Sequence, residues 1–363
     1  MGKKRLIMFV RISIVVTIIS LFLLFCTYTV ADSLLSKQYG SAQTCDKNGC
    51  PNGKEKASNQ NEINPVVEAT PTEIDVMLTF VNAKDNSNLQ AQFRKTTYSI
   101  LQHASVPLEF FIIGEPASQK LAKEIIEDNN SNFHRPIKVA PLDIEELKEK
   151  LQDSIKPMQK HFSYKPGAYY NHELFFLSIM LHKLLPETIK KIIMLDADLR
   201  FRADIKELHD RFSLFNKTNI IGIGRDLQPV YRHALWQYRN DNPGTRVGEP
   251  PPDGLTGFNS GVLLLDLDKM RQSELYEKLI TGERVAELTN KYHFKGHLGD
   301  QDFFSMISFE HEDLFHVLPC QWNRQLCQWW RDKGYQKVFD LYFKCDGDIK
   351  ILHGNCNTPI PDD

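Results

Sequence analysis

A chain of 363 residues, 42% hydrophobic and 25% charged, has room for one large catalytic domain or two small ones. Its formal net charge of -2 excludes an electrostatic case for nucleic acid as the main partner. No low-complexity tract, collagen-like bias or repeat of fixed period points to a fibrous or solenoid class, so function must reside in local constellations of residues.

Lys3, Lys4, Arg5 and Arg11 precede residues 12–30, an uncharged run rich in Ile, Val, Leu and Phe. Roughly 20 apolar residues cross ~30 Å of hydrocarbon as a helix, whereas a cleaved signal peptide carries about 7–15 before a small-residue site. Val30-Ala31-Asp32 is a poor site of that kind. Residues 1–11 are therefore expected to form a cytosolic tail and 12–30 a transmembrane signal-anchor, with the remainder lumenal, because basic flanks stay cytosolic. Residues 31–72 are rich in Ser, Asn, Gln, Lys and Pro and poor in aromatics, a flexible stem that buries too little apolar surface to offset its ordering entropy. Cys26 lies in the apolar run, and Cys45 and Cys50 could close a loop in the stem. The sequons Asn129-Asn130-Ser131 and Asn216-Lys217-Thr218 agree with a lumenal compartment. So do Cys320, Cys327, Cys345 and Cys356, whose spacing fits no common zinc pattern and which should pair by one of three connectivities.

The folded domain, residues 73–363, opens on Ile74-Asp75-Val76-Met77-Leu78-Thr79-Phe80-Val81, a buried-strand pattern. A helical stretch at 89–103 leads to a second strand at 108–113. Helical patterns at 118–128 and 143–153 flank a short strand at 137–139. Residues 173–185 are apolar at helical spacing, and 191–195 is again a strand. Strands alternating with helices predict an α/β domain with a mostly parallel sheet.

Met194-Leu195-Asp196-Ala197-Asp198 stands at the end of the 191–195 strand, where open α/β sheets bind ligands. An Asp-x-Asp triplet is often a solvated turn. Directly after an all-apolar strand, however, two carboxylates left unpaired would be costly, and a hard cation between them removes the cost. Leu352-His353-Gly354-Asn355-Cys356 presents an imidazole beside a glycine and a cysteine. A lone histidine is more often structural, but two Asp with one His suit manganese better than magnesium. Gly257-Phe258-Asn259-Ser260-Gly261 is a polar, glycine-flanked entry to the buried strand Val262-Leu263-Leu264-Leu265-Asp266, a turn or a place for amides to meet sugar hydroxyls. In Gly299-Asp300-Gln301-Asp302 the carboxylates could cap the helix that starts there, or stand beside a reacting sugar. Nucleophile patterns of the Ser or Cys type and Gly-rich phosphate loops are missing from the sequence.

Leu-Asp-Ala-Asp at 195–198, Phe-Asn-Ser-Gly-Val at 258–262, Gly-Asp-Gln-Asp at 299–302 and His-Gly at 353–354, in this order, resemble the retaining glycosyltransferases of family 8. This is the glycogenin and galactinol synthase group, with a GT-A (Rossmann-like) fold. The likeness spans residues 74–353, and the strings Phe315-His316-Val317-Leu318 and Trp322-Asn323-Arg324-Gln325-Leu326-Cys327 extend it toward members that lengthen O-glucose glycans. What the resemblance implies is specific: retaining α-1,3 transfer of xylose from UDP-xylose to xylose on O-linked glucose of EGF-like repeats, as in Notch. It implies Mn²⁺ on Asp196, Asp198 and His353, with Gln301 and Asp300 at the reacting centre. Thr79, Phe80 and Val81 would meet uridine, and Ala197, Asn259, Ser260, Leu298, Gln301 and Gly354 the rest of the donor. His233, Trp236, Gln237, Trp329, Trp330 and Asn355 would touch the acceptor. The implied disulfides are Cys320–Cys345 and Cys327–Cys356, and the implied residence is the endoplasmic reticulum membrane, with the Golgi as alternative. Oligomeric state is open, a homodimer being the assembly in view. Other readings are a glucoside xylosyltransferase or another family 8 enzyme, and a lumenal carbohydrate-binding protein with a decayed transferase fold. The intact Asp196, Asp198 and His353 count against decay.

Overall fold

The computed structural model describes residues 73–163 and 173–361; the expected tail, anchor and stem, with Cys26, Cys45 and Cys50, lie outside them. Among the described residues no helix is long and apolar enough to cross a membrane. Seven strands form the central sheet, in the order β3 (Ile137–Asp143), β2 (Leu108–Gly114), β1 (Ile74–Thr79), β4 (Lys191–Leu195), β7 (Phe258–Asp266), β6 (Ile221–Arg225) and β8 (Phe315–Leu318). All pairings are parallel except those of β7, which runs antiparallel to both β4 and β6.

The inner strands β1, β2 and β4 are buried on both faces, which is why they read as continuous apolar runs. Alternate side chains of a strand point to opposite faces, and the core divides accordingly. Val76, Leu78, Ile193, Leu195, Val262 and Leu264 pack into one layer with Phe93, Ile100 and Ile126 of the helices Ser87–His103 and Pro116–Asn130. Met77, Ile192, Leu263 and Leu265 face the other layer, against the helices Ile144–Phe162, Leu177–Leu184 and Asp300–Ser308. Residues 173–185 are not one helix: Glu173–Phe176 is a 3₁₀ turn before the helix Leu177–Leu184.

Chain order reverses at β1, whose neighbours are β2 on one side and β4 on the other. Such a switch point opens a crevice at the carboxyl ends of the strands. Here it places Thr79 and Asp196 at adjacent strand ends. A second, three-stranded sheet joins β5 (Leu199–Phe201), β10 (Ile351–His353) and β9 (Arg324–Gln325) beside that crevice. Disulfides Cys320–Cys345 and Cys327–Cys356 tie the C-terminal segments together around it.

The polar stretch Phe258-Asn259-Ser260 is not a loop into the strand but part of β7 itself. A register shift at Ile223/Gly224 lets β6 follow it, pairing Gly224 with Asn259 and Arg225 with Phe258. The polar side chains are thus held on a strand, which positions them more rigidly than a turn would.

Candidate active site

The register of the two sheets assembles the site. Asp196 is held at the end of β4 by its N–H, which donates to Gly261 O at 3.0 Å. Asp198 leads into β5, and antiparallel pairing of β5 with β10 sets His353 opposite Leu199. The Gly354 N–H donates to Asp198 O at 2.9 Å, and Thr96 Oγ1 donates to Ala197 O at 2.7 Å. Backbone on both sides of the two aspartates is therefore fixed.

Asp196, Asp198 and His353 consequently present ligand atoms that all lie within 4.8 Å of one another. His353 Nε2 is 3.5 Å from Asp196 Oδ2 and 3.4 Å from Asp198 Oδ1. The imidazole is 2% exposed, while Asp196 is 56% exposed and faces the crevice. Burial pulls the imidazole down, but hydrogen bonding and charge from Asp196 and Asp198 outweigh it and hold His353 up at about 10. Burial likewise pushes Asp198 up, and the bond and charge of His353 leave it below the usual carboxylate range. Carboxylates that hold a proton on a buried imidazole would also attract a dication in its place. Two carboxylate oxygens and one imidazole fit a divalent metal.

The group leaves no space at Gly261: a Cβ there would lie 2.3 Å from His353 Cε1 and 3.0 Å from Asp196 Oδ2. Gly261→Ala should therefore weaken divalent-metal binding by about 10–100-fold, the range seen when ligand orientation is disturbed. Calorimetric titration alongside a circular dichroism spectrum checks this; unchanged affinity in a folded variant would contradict the packing argument.

Behind the metal-type group lies a buried polar layer. Gly299, at φ 65°, turns the chain into the helix Asp300–Ser308. Of the two readings of Asp300 and Asp302, helix capping is not what the side chains do: neither caps that helix. Asp302 Oδ2 instead accepts from the N–H groups of His297 (2.6 Å) and Leu298 (2.7 Å), and Oδ1 from Tyr231 Oη (3.0 Å). Asp300 accepts from Ser178 Oγ, and from Ser260 Oγ at 3.0 Å. The carboxylates brace the preceding loop and β7, because tertiary donors reach them first. Gln301 Oε1 accepts from Asn259 Nδ2 (3.1 Å) and Ser260 N (3.4 Å), and its Nε2 donates to Asp226 Oδ2 (3.4 Å). Burial is the leading cause that raises Asp226 to about 8, Asp300 to about 7 and Asp302 to about 6.

The other expected residues lie in several separate places. Phe80 is a core side chain whose ring lies tilted against Phe93 at 4.2 Å, so what it offers a ligand is backbone; Thr79 and Val81 beside it are partly exposed. Leu298 is partly buried against the core next to Asp302. His233, Trp329 and Trp330 come together, with the His233 and Trp330 rings 4.8 Å apart. Tyr335 completes this cluster by a 2.9 Å hydrogen bond between its Oη and His233 Nδ1. Trp236 and Gln237 are exposed on the next short helix, Trp236–Asp241. Asn355 uses Oδ1 to accept from Leu326 N (3.1 Å) and Cys327 N (3.0 Å), which gives it a part in holding the segment after β9.

Sequence reasoning missed Asp226, Asn323, Tyr231, Ser178 and Tyr335. Asp226 follows β6, whose Gly222 and Gly224 at alternate positions hide its strand character. Asn323 stands in a noticed string without any local signal of a role. Its partners, Asn259 and His353, are remote in sequence.

The glycosyl transferase family 8 model matches residues 92–353, a span that holds both the metal-type group and the amide layer behind it. Xyloside xylosyltransferase 1 of Homo sapiens is 49% identical over 302 residues, covering 81% of this chain and 76% of that protein. Xylosyl- and glucuronyltransferase LARGE1 of Danio rerio is 31% identical over 261 residues, covering 71% of this chain and 30% of that protein. The crystal structure of mouse xyloside xylosyltransferase 1, apo form, matches with a TM-score of 0.76 at 48% identity, covering 80% of this chain and 100% of that one. The mostly parallel α/β architecture is the GT-A-like fold of that structure. Sequence, fold and the grouping at a switch point of three residues that could hold a metal agree, and the chain belongs to glycosyl transferase family 8.

Proposed function

We propose that this glycosyltransferase transfers xylose from UDP-xylose, with retention, to the xylose of xylosyl-α-1,3-glucose O-linked to serine in EGF-like repeats of Notch-type proteins. The observation that carries the reading is the convergence of Asp196, Asp198 and His353 beside the buried Gln301, in a chain so similar to xyloside xylosyltransferase 1. The donor set supports Mn²⁺ held by these three residues. When bound, the cation supplies electrostatic and Lewis-acid stabilisation for the departing diphosphate.

The chain's own residues restrict the chemistry. A retaining glycosidase uses a carboxylate nucleophile behind the anomeric carbon. Here the candidate at that position is Gln301, whose neutral amide is a poor nucleophile. Each oxygen of Asp300 already accepts a hydrogen bond, from Ser178 and Ser260, and burial raises the carboxyl to about 7, so it serves better to hold Ser260 than to attack. Same-face displacement follows: the anomeric C–O bond to phosphate breaks, the bond to the acceptor oxygen forms, and the departing phosphate oxygen takes the acceptor's proton. Gln301, fixed through both ends of its amide, would present its dipole to the cationic sugar. The aromatic cluster of exposed His233 and Trp329 with partly buried Trp330 and Tyr335 is the surface proposed for the acceptor repeat, since such rings combine a large apolar face with a polar edge. The test is donor turnover: UDP should be released from UDP-xylose with Mn²⁺ and not after chelation. Preferential release from UDP-glucose would contradict the donor assignment.

The single-pass, type II placement in the endoplasmic reticulum membrane belongs to the same proposal and makes the two sequons informative. Asn129 is 4% exposed and donates Nδ2 to Arg94 O (2.9 Å) and Thr97 Oγ1 (2.8 Å), so a glycan there would break buried bonds. Asn216 is exposed, with Oδ1 accepting from Thr218 Oγ1 at 2.9 Å. Glycosidase treatment of the cell-expressed chain is expected to give a mobility shift that Asn216→Gln removes and Asn129→Gln leaves. A shift that depends on Asn129, or none at all, would count against this account.

A further inference from the structure

We infer that Asn323 is a positioning residue that sets how His353 presents itself to the metal and ties that presentation to Gln301; the inference rests on reading Asp196, Asp198 and His353 as a metal site. Asn323 is 1% exposed and ends the 3₁₀ turn Cys320–Asn323, which the Cys320–Cys345 disulfide anchors. Its Oδ1 lies 2.9 Å from His353 Nδ1. Its Nδ2 donates to Asn259 Oδ1 at 2.8 Å.

The direction of these bonds is determined by backbone donors. The Gly261 N–H donates to Asn259 Oδ1 at 3.2 Å, and the Ser260 N–H donates to Gln301 Oε1 at 3.4 Å. A backbone N–H has no alternative role, so the oxygens of Asn259 and Gln301 are identified by it. Asn259 must then turn Nδ2 to Gln301, and Asn323 must turn Nδ2 to Asn259. That leaves Asn323 Oδ1 for the imidazole. An amide oxygen accepts only, so His353 carries a proton on Nδ1 and offers Nε2 to the side where Asp196 and Asp198 lie.

The resulting chain runs one way: His353 donates to Asn323, Asn323 to Asn259, Asn259 to Gln301, and Gln301 to Asp226. Each amide is oriented by its neighbour, and bonds aligned in series polarise one another. Reversing any member would set oxygen against oxygen or N–H against N–H in a buried site. Metal-ligating histidines depend on such a partner at the second nitrogen for tautomer and ring orientation. Asn323 has in addition a second hand on the strand residue that holds Gln301.

Two substitutions separate these roles. Asn323→Ala removes both bonds and is expected to lower Mn²⁺ affinity by about 10–100-fold in calorimetric titration of the full chain, without any substrate. Asn323→Asp keeps an acceptor for His353 Nδ1 but loses the donor to Asn259. It should therefore retain Mn²⁺ affinity within a few-fold while kcat falls. Imidazole ¹⁵N spectra of the wild-type chain with Mg²⁺ should place the proton of His353 on Nδ1, a readout that does not depend on how well the variants fold. A folded Asn323→Ala chain with wild-type Mn²⁺ affinity, or a Mg²⁺-loaded chain in which His353 keeps its one ring proton on Nε2 and none on Nδ1, would overturn the assignment of Asn323 alone. A wild-type chain that binds no Mn²⁺ would instead remove the metal reading on which it stands.

Discussion

Asp198→Asn is expected to lower kcat/KM for xylosyl transfer by about 10³-fold or more, because it removes a charge from the proposed metal site, where the leaving diphosphate would be stabilised. The neutral amide keeps the shape of the side chain but not its attraction for a dication. Initial rates over a Mn²⁺ titration check this, and a variant with wild-type rate and wild-type Mn²⁺ dependence would remove Asp198 from the ligand set. The same site predicts a pH dependence. In the metal-free protein His353 is held up at about 10 by Asp196 and Asp198, so it carries two ring protons at neutral pH. A metal needs the Nε2 lone pair, hence binding expels one proton. Apparent Mn²⁺ affinity should then rise about tenfold per pH unit between about pH 6 and pH 8. In Asp198→Asn, one of the carboxylates that raises His353 is gone, and this slope should flatten. An affinity independent of pH in the wild type would contradict the placement of His353.

Gln301→Ala carries the other large effect. It should reduce kcat by about 10²–10³-fold, the range for removing one preorganised dipole from a developing charge. UDP binding should be kept, since nothing in Gln301's hydrogen bonding involves Asp196, Asp198 or His353 directly. Rapid-quench rates with parallel UDP titration separate the two quantities. A normal rate would remove Gln301 from the reaction, whereas loss of UDP binding would mean that it builds the donor site instead.

Much of the molecule could be read from its residues, for physical reasons that differ from part to part. Strands β1, β2 and β4 are buried on both faces and therefore stand out as apolar runs. Asp196 and Asp198 are legible because carboxylates directly after such a strand are anomalous unless something pairs with them. β6 is not legible, since Gly222 and Gly224 remove the bulk by which a strand is recognised, and with it Asp226 is lost. Asp300 and Asp302 satisfy the local rule for helix capping, yet Ser178, Ser260, Tyr231 and two loop amides outcompete the helix for them. Ser178, Ser260 and Tyr231 are remote in sequence, so no window of residues around position 300 could reveal them. Asn323 fails for the same reason: its meaning lies in the partners to which the fold brings it.

This metal-type site and its amide layer are proposed to serve xylose transfer onto a xylosylated acceptor. The most direct measurement is mass spectrometry of an EGF-like repeat incubated with the full chain, UDP-xylose and Mn²⁺, the repeat carrying either xylosyl-glucose or glucose alone. A product heavier by one pentose on the first repeat and absent from the second is the expected result. Pentose added to glucose alone, or addition only from a different UDP-sugar, would contradict it.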